Sequence, residues 1–216
     1  LKASICLLYN RYDSLKSLSA DYEYIFYPLH MEPETAISYI GECYGNQLML
    51  IDRISHCLGT NQKLIIKEHP QQRGVLLTKK YQALKKKYCN LIFIDAKISS
   101  YDIFKKMTCM VTLNGTAGFE ALICGKPVIL FGYAYYKDCK GVTFCESFWK
   151  LKEMLREHTY NMPKEKDIIE FIAKIHIGMK NIFPYIIDES YEQQDVDNMT
   201  ELVEKFNDYP QSYHRK

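Results

Sequence analysis

An α/β fold, a parallel sheet with helices on both faces and further helices at the carboxyl end, is predicted by three observations on these 216 residues. Short apolar runs alternate with amphipathic stretches at the spacing of strand–helix–strand units. The runs are continuously apolar rather than alternating, as strands covered on both faces require. The loops leaving their carboxyl ends carry glycine, proline, histidine and carboxylates, where open sheets of Rossmann type bind ligands.

The elements follow in order. Residues 1–20 are mixed apolar and polar with a Ser-rich end, and read as a linker or helix leading in from a preceding domain. Tyr24-Ile25-Phe26-Tyr27 is the first strand, closed by Pro28. The loop Leu29-His30-Met31-Glu32-Pro33-Glu34 is extended, because residues before proline avoid the helical region. Ile37, Ile40, Tyr44, Leu48, Ile51, Ile54 and Leu58, at steps of three and four, predict one long helix stopped by Gly59. Gly41 and Gly45 weaken that helix unless another backbone packs closely there.

Residues 64–66 form the second strand, and a Lys-rich helix with Leu77, Tyr81, Leu84 and Tyr88 inward crosses over from it. Residues 91–94 are the third strand, with Ser99 and Ser100 as caps for a short helix through Lys106. The fourth strand, 110–113, runs into a glycine loop and a helix that stops at Gly125. Residues 128–131 are the fifth strand, closed by Gly132. After it come an aromatic and charged loop over 133–143, helices over 147–157 and 164–179, and a polar tail with a helix near 199–206.

Composition bounds the function. A formal net charge of +2 gives no basic field for nucleic acid. The dense cluster Lys79, Lys80, Lys85, Lys86 and Lys87 reads as the solvated face of its helix. The eight cysteines have no CxxC pair or tight ligand spacing, and most sit in apolar runs where cysteine acts as a small hydrophobe. With no signal peptide or transmembrane-length run, the chain reads as reduced and cytoplasmic. Asp195-Val196-Asp197 spells a metal-type pattern, but in a polar tail far from any strand end, so no metal is expected.

Two strand-end loops carry the chemistry. In Lys67-Glu68-His69-Pro70, the lysine neutralises a phosphate, the glutamate orients a neighbour, and the histidine donates to a phosphate oxygen or acts as an acid. The proline fixes the backbone; the bland alternative is a turn whose charges face water. In Asn114-Gly115-Thr116-Ala117-Gly118-Phe119-Glu120, free amides and the helix dipole favour an anion, and the glycines admit a ligand close to the backbone. Glu120 either complements the dipole or accepts sugar hydroxyls. The loop is neither a Walker motif, since Pro127 follows Lys126, nor a nucleophile elbow. His30, Glu32 and Glu34 cluster on the first strand-end loop, with helix capping as the alternative for Glu34. Tyr133, Tyr135 and Tyr136 either stack on a ligand or pack at an edge. Together the loops suit a phosphate-bearing sugar donor.

Read in order, Phe26 to Glu34, Ile66 to Pro70, Asn114 to Leu122, Gly125-Lys126-Pro127-Val128, Phe131-Gly132, Tyr135-Tyr136 and Gly141-Val142 resemble the bacterial capsule polysaccharide biosynthesis family, which includes capsule Kdo transferases. The His-Pro element also resembles the one by which bacterial sialyltransferases hold a CMP-sugar. The resemblance implies the carboxyl-terminal, donor-binding half of a GT-B glycosyltransferase, with an acceptor domain preceding Leu1. It implies a nucleotide-sugar-binding domain over 21–180 and a polar or helical tail over 181–216. It implies His69, Lys67 and Glu32 as the catalytic set. Glu68, Pro70, Asn114, Gly115, Thr116, Ala117, Gly118, Glu120 and Tyr136 would bind the donor, and His30 and Glu34 would face the cleft.

The function this implies is transfer of a sugar from a nucleotide-activated donor, with CMP-Kdo a candidate, to a saccharide or glycolipid acceptor. No further cofactor is implied, since GT-B enzymes generally place donor phosphates on amides and basic side chains. Capsule assembly proteins at the inner membrane would be partners, with the enzyme cytoplasmic or peripheral to that membrane. A nucleotide-sugar epimerase of similar fold and a non-catalytic nucleotide-binding module are the alternatives.

Overall fold

A computed structural model describes residues 12–31 and 46–182, with side chains through 175. Its elements are β1 (Glu23–Pro28), α1 (Gln47–Cys57), β2 (Gln62–Lys67), α2 (Lys79–Lys87), β3 (Leu91–Ile94) and α3 (Ser100–Phe104). They continue with β4 (Cys109–Thr112), α4 (Thr116–Ile123), β5 (Val128–Leu130), β6 (Val142–Phe144), α5 (Phe148–Glu157) and α6 (Glu165–Ile182). The six strands form one sheet in the order β3-β2-β1-β4-β5-β6, every pair parallel.

Alternate strand residues feed two cores. On one face Ile25, Tyr27, Leu64, Ile66 and Val111 meet Leu50, Ile51 and Ile54 of α1, Tyr81 and Leu84 of α2, and Leu151 and Leu155 of α5. On the other, Phe26, Ile65, Met110 and Leu130 meet Ile103 and Phe104 of α3, Ala121 and Leu122 of α4, and Ile168 of α6. The sheet is thus buried on both faces, which explains why its strands read as unbroken apolar runs. The helix starts obey cap chemistry: Asn46 Oδ1 accepts from Met49 N at 3.2 Å and Ser147 Oγ from Lys150 N at 3.2 Å.

Several expectations change. Of the leading segment, the described part carries only a single 3₁₀ turn, Leu15–Ser17. Asp13 lies along the β3 edge, its N–H donating to Phe93 O at 2.7 Å. The helix after β1 ends at Cys57 on an extended Leu58 (φ −70°, ψ 144°), so Gly59 is not a left-handed stop. Its expected first half, with Gly41 and Gly45, lies outside the described residues, as does the helix expected near 199–206. Ser99 and Ser100 do not cap α3 through their side chains. Part of the loop expected after the fifth strand is a sixth strand. Gly125, at φ +69°, does stop α4.

Candidate functional site

The strand order reverses between the parallel β1 and β4: β2 and β3 are added outward from β1 on one side, and β5 and β6 outward from β4 on the other. At that switch point the loops beyond the two strands diverge and leave a crevice. The loops after β2, β1 and β4 stand side by side around it. With Ser100 at the start of α3, they border a cavity of about 370 Å³ lined by Pro28, Leu29, His30, Met31, Lys67, Glu68, His69, Pro70, Ser100, Asn114, Gly115, Thr116, Ala117 and Glu120. Its size suits a small-molecule ligand. Most of the expected site residues, scattered over 91 positions of chain from His30 to Glu120, are brought together here.

His30 is locked from both sides. Gln47, the first residue of α1, accepts from His30 N at 2.7 Å and donates to His30 O at 3.0 Å. The ring Nε2 lies 3.3 Å from Thr112 Oγ1, and that hydroxyl is 2.7 Å from Asn114 O. The carbonyl can only accept, so the single hydroxyl proton goes to it. The hydroxyl oxygen therefore accepts from His30 Nε2–H, and Nδ1 keeps its lone pair. Burial, with His69 adding repulsion, holds the imidazole pKa down at about 4 against an ordinary 6.5. His30 is neutral at physiological pH.

His69 holds the same tautomer. Its Nδ1 accepts from Gln71 N at 3.3 Å, which leaves Nε2–H as a donor in the neutral ring. Lys67, at the end of β2, is 8% exposed, and its Nζ donates to Ser100 Oγ at 3.0 Å. Burial pushes this ammonium's pKa down, and the charge of Glu120 counters it. Glu120, in turn, is pushed up by burial and pulled down by Lys67. Among the described residues no ion pair within 4.0 Å engages either group. A cation with spare donors and a carboxylate with spare acceptors thus face the cavity together.

Gly115 sits at φ +92°, ψ 156°, a conformation open essentially to glycine alone, and no side chain caps α4 behind it. The exposed Thr116 and half-buried Ala117 open the helix toward the cavity. An unclosed helix start, a lysine and an imidazole N–H around one cavity make an anion-receptive site.

Three expected ligand residues have other work. Glu68 is 2% exposed, and both carboxylate oxygens are spent on the protein, on Leu76 N at 2.7 Å, Gly74 N at 3.0 Å and Tyr12 OH at 2.7 Å. Tyr136 is fully buried, its hydroxyl donating to Gly115 O at 2.7 Å. Gly118 is buried beneath it: a Cβ there would lie 2.1 Å from the Tyr136 hydroxyl. Tyr136 and Gly118 shape the glycine loop, while Glu68, at the cavity wall, is spent on the turn that follows His69. Ser100, by contrast, reads from the sequence only as a helix cap; its place at the cavity comes from Lys67, 33 positions away in the chain. Glu32, Glu34, Asp195 and Asp197 lie outside the described residues. Among the described residues no group of three or more His, Cys, Asp or Glu side chains is placed to hold a metal ion.

A Rossmann-like domain with an anion-receptive cleft at its switch point is the class that fold and site define. The chain matches, over residues 12–175, the family described as "Capsule polysaccharide biosynthesis protein", and it belongs to that family. Over 94 residues it is 33% identical to the capsule polysaccharide export protein KpsS of Escherichia coli, taking in 40% of this chain and 24% of KpsS. Among solved structures, the beta Kdo 2,7 transferase KpsC of Thermosulfurimonas dismutans is similar at 21% identity and TM-score 0.49, over 81% of this chain and 61% of that one. The beta Kdo 2,4 transferase KpsC of the same organism follows at 16% identity and TM-score 0.47, over 76% and 56%. The chain spans less than two thirds of each of these relatives. Among the described residues no helix is long and apolar enough to cross a membrane.

Proposed function

We propose that this chain is the donor-binding domain of a GT-B glycosyltransferase that moves a sugar from a nucleotide-activated donor, with CMP-Kdo the first candidate, onto a growing capsular saccharide or glycolipid. The observation that carries the reading is the convergence of the His69 loop, Lys67 and the open start of α4 on one cavity at the switch point. In transfer, the bond from the anomeric carbon to the phosphate oxygen breaks and one to an acceptor hydroxyl oxygen forms. Charge then builds on the departing phosphate. His69 Nε2–H, the Lys67 ammonium and the α4 amides meet that charge as preorganised donors. Glu120 receives hydroxyls of the donor.

His30 has a different part. Its unprotonated Nδ1 orients the incoming hydroxyl, and the proton passes to Glu32 on the same loop. The site belongs on the cytoplasmic side, where activated sugars are made, with the acceptor held by a partner domain or by capsule assembly proteins at the inner membrane.

Isothermal calorimetry with CMP, UDP and GDP on the wild type and His69→Ala tests the site. One nucleotide, expected to be CMP, binds the wild type, and His69→Ala weakens it at least about tenfold, the worth of a charge-assisted hydrogen bond. Absence of binding by all three, or equal affinity in the variant, refutes the assignment. Mass spectrometry of acceptor oligosaccharides incubated with the full-length protein then separates transfer from epimerisation and from binding alone.

A further inference from the structure

Glu68 is a buried carboxylate with no cation beside it among the described residues, held instead by three N–H and O–H donors. Two of them, Gly74 N and Leu76 N, belong to the turn that follows His69, so the carboxylate draws that turn closed. The turn is tightened further by Gln72 N donating to His69 O at 2.9 Å. The third donor comes from 56 positions away, the hydroxyl of Tyr12 at 2.7 Å. Burial and the neighbouring Glu68 charge push the Tyr12 phenol pKa up, so this hydroxyl keeps its proton and donates.

The residue after Tyr12 is pinned as firmly. Asp13 N donates to Phe93 O at 2.7 Å, and Asp13 Oδ2 accepts from Phe93 N at 2.7 Å and pairs with the Lys85 ammonium. The segment entering the domain is therefore clasped across β3 and α2, and it reaches the site loop through the Tyr12–Glu68 hydrogen bond.

We infer that Tyr12 and Glu68 are positioning residues of the site: through the closed turn they fix His69, so the seating of the entering segment sets the affinity for the donor phosphate. This rests on the proposed donor-binding role of His69. Without the Tyr12 hydroxyl, a buried carboxylate keeps only the two turn amides and the turn loosens; the imidazole then loses its fixed direction. Displacement of a contact group by about an ångström is enough to cost an order of magnitude in a preorganised site.

The test uses the whole 216-residue chain with Tyr12→Phe, Glu68→Gln, His69→Ala and the double variant Tyr12→Phe/His69→Ala. Calorimetry uses CMP, UDP and GDP, and hydrogen exchange is followed at the Gly74 and Leu76 amides. Tyr12→Phe and Glu68→Gln are expected to weaken the bound nucleotide about tenfold, and the double variant to bind no worse than His69→Ala alone. Exchange at both amides is expected to rise at least about tenfold in Tyr12→Phe while amides of the central strands keep their protection. Wild-type affinity in Tyr12→Phe, or losses that simply add in the double variant, overturns the inference. If no nucleotide binds the wild type, the donor-site reading fails by itself, and unchanged exchange at Gly74 and Leu76 then overturns the clasp separately.

Discussion

Gly118→Ala separates two effects of opposite sign. In an open helix, replacing glycine by alanine stabilises by up to about 1 kcal/mol, because the glycine backbone loses more entropy on folding. Gly118 lies in the first turn of α4, but its added Cβ would stand 2.1 Å from the Tyr136 hydroxyl, 2.7 Å from Cζ and 3.0 Å from Cε2. Tyr136 has nowhere to retreat. It is fully buried, stacked on Phe119 at 6.0 Å and edge-on to Tyr135 at 5.1 Å. Overpacking costs about 1–3 kcal/mol, and a displaced hydroxyl loses its bond to Gly115 O, about 1 kcal/mol more. Strain therefore outweighs propensity, for a net loss of about 1–3 kcal/mol. In a domain of this size that lowers the melting temperature by about 2–4 °C per kcal/mol. Urea unfolding should be followed by far-ultraviolet circular dichroism, because the single tryptophan, Trp149, is 79% exposed and reports little of folding. Tyr136→Phe removes the nearest atom, so Gly118→Ala should cost less in that background than in the wild type. A Gly118→Ala protein as stable as the wild type, or more so, refutes the reasoning.

Three further outcomes are expected. The His30 pKa, about 4 folded against 6.5 unfolded, means the unfolded chain takes up a proton that the folded chain declines as pH falls from 6.5 to 4. Stability from this residue is whole above pH 6.5, declines through that window, and is lower by about 3 kcal/mol below it; acid-limb unfolding of His30→Asn should lack this slope. Gly115→Ala forces a side chain to φ +92° and sets a Cβ 3.2 Å from His30 Cε1, so it should cost about 1–3 kcal/mol in urea unfolding and also weaken nucleotide. Lys67→Met removes an ammonium whose burial opposes its charge. It should leave the urea midpoint near that of the wild type while cutting nucleotide affinity about tenfold or more, read by calorimetry.

Local signals in the sequence were enough for strands β1 to β5 and for most of the helices. Expected strands at 24–27, 64–66, 91–94, 110–113 and 128–131 fall within two residues of those observed. β6 escaped because it is three residues long, sits at an edge and buries only its first side chain, leaving neither an apolar run nor an alternation. Gly59 misled because a C-terminal glycine signals a left-handed stop, whereas an extended Leu58 turns this chain into β2. Glu68 and Tyr136 looked like ligand groups because type and loop position are all that a sequence displays. Their partners Tyr12 and Gly115 lie 56 and 21 positions away.

What the sequence alone determined is local in origin: periodicity, caps, breakers and the identity of the side chains at each strand end. These follow from short-range sterics and from the demand that apolar faces be covered. Only the tertiary structure decided the strand order, which sets the β1 and β4 loops on either side of one crevice and His30 Nε2 at 3.3 Å from Thr112, 82 positions on. It also decided which polar groups are consumed within the protein and which face the cavity. Hydrogen bonds and burial depend on separations of a few ångströms between residues far apart in the chain, and only packing of the whole domain fixes those distances.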